Sequence, residues 1–271
     1  MEDDNALLNR LLGEITPVQL HAYQLSPIHR HWNPRAPSIS DARLERSEHL
    51  FEDVLPWASI CFRQKRSRSA NRGWQSKFPS SKMKRTVMAR SHLELRLIEL
   101  CEVDGAVSRY VEQPIRIRYM DHQGKARTHT PDLFIERVED AGFVEVKWEA
   151  DARKDSNESR WPLIAEAITS LGYSYSVMTE RHIMAQPLAA NVAKLLRHRK
   201  SPQMSDVVAG KVRDWLIDRG GTMEELLSWY PDVSAPSLFR AIADGWLRTD
   251  MNLPLGLESG IRTGIGGARV Q

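Results

Sequence analysis

At 271 residues with a net charge of only +3, the chain can bury one main core and a smaller second one, and its overall charge names no polyanionic partner. Its 41% hydrophobic and 27% charged residues exclude global disorder. Two isolated cysteines, Cys61 and Cys101, exclude a disulfide framework and a four-thiolate zinc site. No basic leader with an apolar core and no window of roughly 18 apolar residues occurs, so a cytoplasmic protein without a membrane segment is expected.

Residues 1–60 form an N-terminal leader of mixed character, in which LERSEHLFEDVLPW is predicted as a helix halted near Pro56. From Arg63 to Arg90 the chain carries ten Lys or Arg and no acid, with Trp74 and Phe78 interleaved. A block of like charge repels itself unless an anion neutralises it. Residues 61–90 are therefore expected to form a basic strap on DNA phosphates, with Arg72, Lys77, Lys82, Lys84 and Arg85 as contacts. A solvated linker or an arm for an acidic protein has the same composition.

SHLELRLIELCEVD places Leu93, Leu97, Ile98 and Cys101 at helical spacing behind Ser91, a predicted N-cap, and Glu94 stands where a capping box needs it. QPIRIRYM alternates as a half-buried strand, and DHQGK turns the chain. LFIERV and FVEVKW are two apolar segments joined by the turn EDAG, which predicts a hairpin. RWPLIAEAITSLGY is predicted as an amphipathic helix and SYSVMT as a last strand.

The two hairpin strands contain charges that an ordinary core strand would not. Glu145 and Lys147 are two apart and share a strand face, while Val144, Val146 and Trp148 take the other. Asp132 opens the neighbouring strand. Pairing through the EDAG turn brings Asp132 near Glu145, where two unneutralised carboxylates would repel. A hard divalent cation relieves this, and Mg²⁺ or Mn²⁺ suits a few carboxylates with water and a phosphate oxygen in the remaining positions. Lys147 is placed to stabilise charge on phosphorus or to orient the attacking water, and Glu94 to complete the acidic cluster. His129, in THTPD, is read as a hydrogen-bonded structural residue.

The segment 73–180 resembles the PD-(D/E)XK superfamily of restriction-type nucleases. Within it, GWQSKFPSSKM, SHLELRLIELCEVDGAVSRYVEQPIRIRY, HTPDLFI and FVEVK resemble TnsA, the endonuclease subunit of heteromeric cut-and-paste transposases. The resemblance implies an α/β fold with a restriction-endonuclease-like mixed sheet flanked by helices. It implies Glu94, Asp132, Glu145 and Lys147 as the catalytic set, with Asp132 and Glu145 as metal ligands and Glu94 as a further ligand or water-holder. It also implies double-stranded DNA at transposon ends as substrate, a TnsB-like transposase acting on the 3′ ends, and a TnsC-like regulatory ATPase. A stand-alone phage or defence nuclease on the same fold, and a non-catalytic DNA-binding adaptor, are the alternatives.

The nuclease core is accordingly expected over 91–184 and a linking helix over 185–204. Residues 205–271 read as three short helices and two extended pieces, a winged-helix-like C-terminal domain. In that outline SAPSLFRAIADGWL is the recognition helix, with Arg240 toward phosphate. Its single basic residue and Asp244 suit protein docking equally well.

Overall fold

A computed structural model describes residues 74–264, apart from 115, 138–139 and 170–172. The predicted leader and the strap up to residue 73, including Arg72, lie outside the described residues.

In chain order, a hairpin of β1 (Ser76–Ser80) and β2 (Arg85–Ala89) leads into helix α1 (His92–Val103). Strand β3 (Val107–Glu112), the hairpin β4 (Ile117–Met120) and β5 (Ala126–His129), and the hairpin β6 (Leu133–Arg137) and β7 (Ala141–Val146) follow. Short helices α2 (Glu149–Ala152) and α3 (Asp155–Glu158) precede α4 (Trp161–Thr169) and β8 (Ser174–Met178). After α5 (Glu180–Ile183) and α6 (Leu188–His198), the C-terminal unit runs α7 (Asp206–Asp218), β9 (Gly221–Thr222), α8 (Met223–Trp229), α9 (Ala235–Ala243), β10 (Leu247–Thr249) and β11 (Gly260–Thr263).

The central sheet has the order β3-β6-β7-β8, antiparallel except for the parallel β7–β8 pair. The sheet is thus mixed and flanked by helices, as the resemblance implied. Alternation along β7 divides the core: Val144 and Val146 join Leu93, Leu97 and Ile98 of α1, while Phe143 joins Trp161 and Ile164 of α4. Because both faces of β7 are covered, all six of its residues are buried, Glu145 among them.

Ser91 caps α1 by accepting from the Glu94 N–H at 3.1 Å, and the Glu94 carboxylate accepts from the Arg90 N–H at 2.9 Å, one residue before the cap. This is a capping box displaced by one position. Strand β3 was not separated in the sequence. Its Tyr110, Val111 and Glu112 are buried in succession, so it lacks the two-residue period of a half-exposed strand.

The strap from residue 76 onward is an ordered hairpin fastened to α1. The Glu102 carboxylate, buried, accepts from Ser80 Oγ at 2.6 Å, Ser81 N–H at 2.7 Å and Tyr110 Oη at 2.8 Å. Two of the expected DNA contacts have acceptors within the chain. Lys82 Nζ donates to the carbonyls of Cys101 (2.7 Å) and Asp104 (2.6 Å), and burial lowers its pKa. Arg85 makes a two-pronged ion pair with buried Glu112 at 2.7 and 2.5 Å. Both cations serve internal acceptors. Lys77 and Lys84 are exposed.

The C-terminal unit shares the first core with α1 and α6. Asn191 of α6 is buried; its Nδ2 donates to the carbonyls of Met251 and Leu253, and its Oδ1 accepts from the Leu255 N–H, each at 2.9 Å. Gly105 and Gly245 approach so closely that a Cβ on either would collide with the other's backbone. Helix α9, expected either to read DNA or to dock a protein, is largely buried. Ser237, Leu238, Phe239, Ala241, Ile242 and Ala243 are all buried, and Arg240 pairs with Asp244 at 3.2 Å and donates to the Ser201 carbonyl at 2.6 Å.

Candidate active site

Strands β6 and β7 pair with Leu133 opposite Val144, so the residue before Leu133 lies beside the end of β7. Asp132 Oδ2 accepts the Val146 N–H at 2.8 Å, which ties the carboxylate to the strand that carries Glu145 and Lys147. Lys147 Nζ lies 2.6 Å from Glu145 Oε1 and 4.0 Å from Asp132 Oδ2. The backbone of Lys147 is in turn held by its N–H to the Met178 carbonyl of β8, at 3.0 Å. Three sequence-predicted residues are thus brought together on paired strands. Glu94, the fourth, is buried at the start of α1, close enough for its charge to be felt at Asp132.

The electrostatics follow from burial. Desolvation first, then the Glu145 charge, pushes the Asp132 carboxyl up to about 8. Burial works in the same direction on Glu145, but His129 and then Lys147 outweigh it and hold that carboxyl below its ordinary value. Burial would lower Lys147, yet Glu145 and Asp132 hold its ammonium above the ordinary lysine value. Glu94 is raised by burial, against hydrogen bonds from the helix start. One carboxylate of the facing pair is therefore matched by Lys147 and the other is left short of positive charge.

His129 is the residue the sequence reading set aside. It ends β5, buried, with Nε2 at 3.2 Å from Glu145 Oε2 and at 3.5 Å from Tyr175 Oη. Its ring meets Trp161 and Tyr175 edge-on, with centroids 6.4 and 6.2 Å away. A signal was present: His129 is three residues from Asp132, and it is buried opposite its cross-strand partner Ile117 of β4. Glu145 Oε2 is buried, and despite His129 nearby it has no well-directed hydrogen bond among the described residues. Among those residues, too, no three His, Cys, Asp or Glu side chains form a ready metal cage. Lys147 stands beside both acids instead.

Chemically, two acids, an ammonium and a buried oxygen with spare acceptor capacity converge where strand ends meet the surface. No curated protein matches the chain at a significant level. Residues 104–180, which contain Asp132, Glu145, Lys147 and His129 but not Glu94, match the family model described as TnsA-like endonuclease N terminal.

Proposed function

We propose that the protein is a metal-dependent DNA endonuclease of a transposition system, cutting near the 5′ ends of the mobile element beside a separate integrase-type subunit. The observation that carries this is the convergence of Asp132, Glu145 and Lys147 at the adjoining ends of β6 and β7, inside the matched segment. Asp132 and Glu145 would hold Mg²⁺ or Mn²⁺, with Glu94 as a further ligand or water-holder. The fit rests on the raised Asp132 carboxyl and the spare acceptor capacity of Glu145 Oε2. When bound, such an ion acidifies a coordinated water and polarises the phosphodiester.

The chain's own residues supply the rest. The Lys147 ammonium, 2.6 Å from Glu145 and 4.0 Å from Asp132, would contact a non-bridging phosphate oxygen and stabilise the charge that builds there. His129, with Nε2 3.2 Å from Glu145 Oε2, would help to fix the position of that carboxylate. In-line attack by water would leave a 5′-phosphate and a 3′-hydroxyl.

The sequence α7–β9–α8–α9–β10–β11 and the sheet order β10-β11-β9 support a winged-helix-like C-terminal domain. Since α9 is buried, this domain suits docking of a TnsC-like ATPase rather than reading of DNA. The division into nuclease core (91–184), linking helix (185–204) and C-terminal domain (205–271) follows the same proposal, as does a cytoplasmic location. No described helix is long and apolar enough to cross a membrane.

The test is Asp132→Ala with a labelled transposon-end duplex, Mg²⁺ and the neighbouring transposition proteins. Cleavage should vanish with DNA binding kept. Cleavage by the variant at the wild-type rate overturns the assignment, and wild-type cutting without partners would favour a stand-alone nuclease.

A further inference from the structure

Arg160 stands immediately before α4 and lacks the carboxylate partner that three other arginines of the unit have. Arg85, Arg109 and Arg137 each pair with a carboxylate: Glu112, Glu136 and Asp140. Among the described residues no acid pairs with Arg160, and its Nε is buried without a hydrogen-bond partner. The guanidinium is instead fixed over the Trp161 ring, 4.6 Å from its centroid. Trp161 is fully buried and borders His129, so this platform belongs to the face of the sheet toward which Glu145 points. The Arg160 charge reaches Lys147 and the Tyr175 hydroxyl.

Lys147 has Glu145 as its counter-charge, whereas Arg160 carries a buried donor with nothing to bind. Leaving a charged donor unsatisfied is unfavourable. Stacking on an indole keeps a guanidinium oriented while its fork stays free, which is how arginine recognises phosphate.

We propose that Arg160 is a phosphate-binding residue of the active site, its guanidinium taking a non-bridging oxygen of a DNA phosphodiester beside Lys147. This rests on the nuclease reading for the identity of the ligand, but its test does not depend on cleavage.

The full chain is titrated against a fluorescent duplex in EDTA, across a salt series from about 50 to 200 mM. Arg160→Met keeps the stem over Trp161 and removes the fork. It is expected to weaken binding roughly tenfold, as loss of a charge-assisted hydrogen bond does, and to make the salt dependence shallower by about one phosphate contact. Arg160→Lys should fall between, with the salt slope restored. Cleavage of the same duplex with Mg²⁺ is assayed separately, so failure of the catalytic assignment would show there and leave this result intact. Equal affinity and slope for Arg160→Met and wild type, a lowered melting temperature as its only effect, or no wild-type binding would each overturn the proposal.

Discussion

Asp132→Asn isolates the charge of the acidic pair, because the amide oxygen can still accept the Val146 N–H that Asp132 Oδ2 takes at 2.8 Å. Without metal, the native protein keeps the Asp132 proton up to about 8, against 3.8 for an ordinary aspartate. Over that interval the folded state binds a proton that the unfolded chain has released. Stability therefore falls as pH rises from the lower value to the upper and is level beyond it. The gap, at roughly 1.4 kcal/mol for each tenfold change in proton affinity, sets a ceiling of ~6 kcal/mol. Relaxation of a site partly open to water brings the expected cost nearer 2 kcal/mol. For a protein of this size that is about 4–8 °C in melting temperature. In EDTA, Asp132→Asn should melt that much higher than wild type near pH 9, and about a third of that near pH 5, by scanning fluorimetry. Excess Mg²⁺ should cancel or reverse the gain, since ligand at about a hundred times its Kd adds about 2.7 kcal/mol to the form that binds it. A gain independent of pH, or a loss near pH 9 without metal, would refute the picture of two buried acids short of a cation.

Other consequences follow from particular contacts. Lys82→Met should lower stability by about 2 kcal/mol, since two buried carbonyls lose their donor, with DNA affinity kept in a binding titration. A large affinity loss at unchanged melting temperature would return Lys82 to the DNA surface. Asn191→Ala should cost about 2–4 kcal/mol in denaturant unfolding and raise amide exchange at residues 251–255; unchanged exchange would show that α6 does not anchor that loop. His129→Phe should weaken Mn²⁺ binding about tenfold or more, as loss of a supporting histidine does, by titration calorimetry, and unaltered affinity would reduce His129 to packing.

Much of the site was legible because its pattern is local. Pro131-Asp132 and Glu145-Val146-Lys147 lie on adjacent strands joined by a short turn, so strand alternation alone predicted their meeting. Within the charge run 63–90 the internal acceptors lie far along the chain: Lys82 answers to carbonyls at 101 and 104, and Arg85 to Glu112. A cation that serves such acceptors looks, in sequence, the same as one that faces solvent. The burial of helix α9 was hidden for the same reason. Its outward side became an inner one by packing on α6 and α1, which amphipathic spacing does not record. Arg160 was missed because it carries no motif, and only the missing counter-charge around it draws notice.

The central claim is that a divalent cation is held between Asp132 and Glu145. Mn²⁺ binding to the full chain, followed by electron paramagnetic resonance, tests it most directly with wild type, Asp132→Ala and Glu145→Ala. The account predicts a bound signal in the wild type, displaced by Mg²⁺ and lost or strongly weakened in both variants. Equal Mn²⁺ affinity in all three proteins would contradict it.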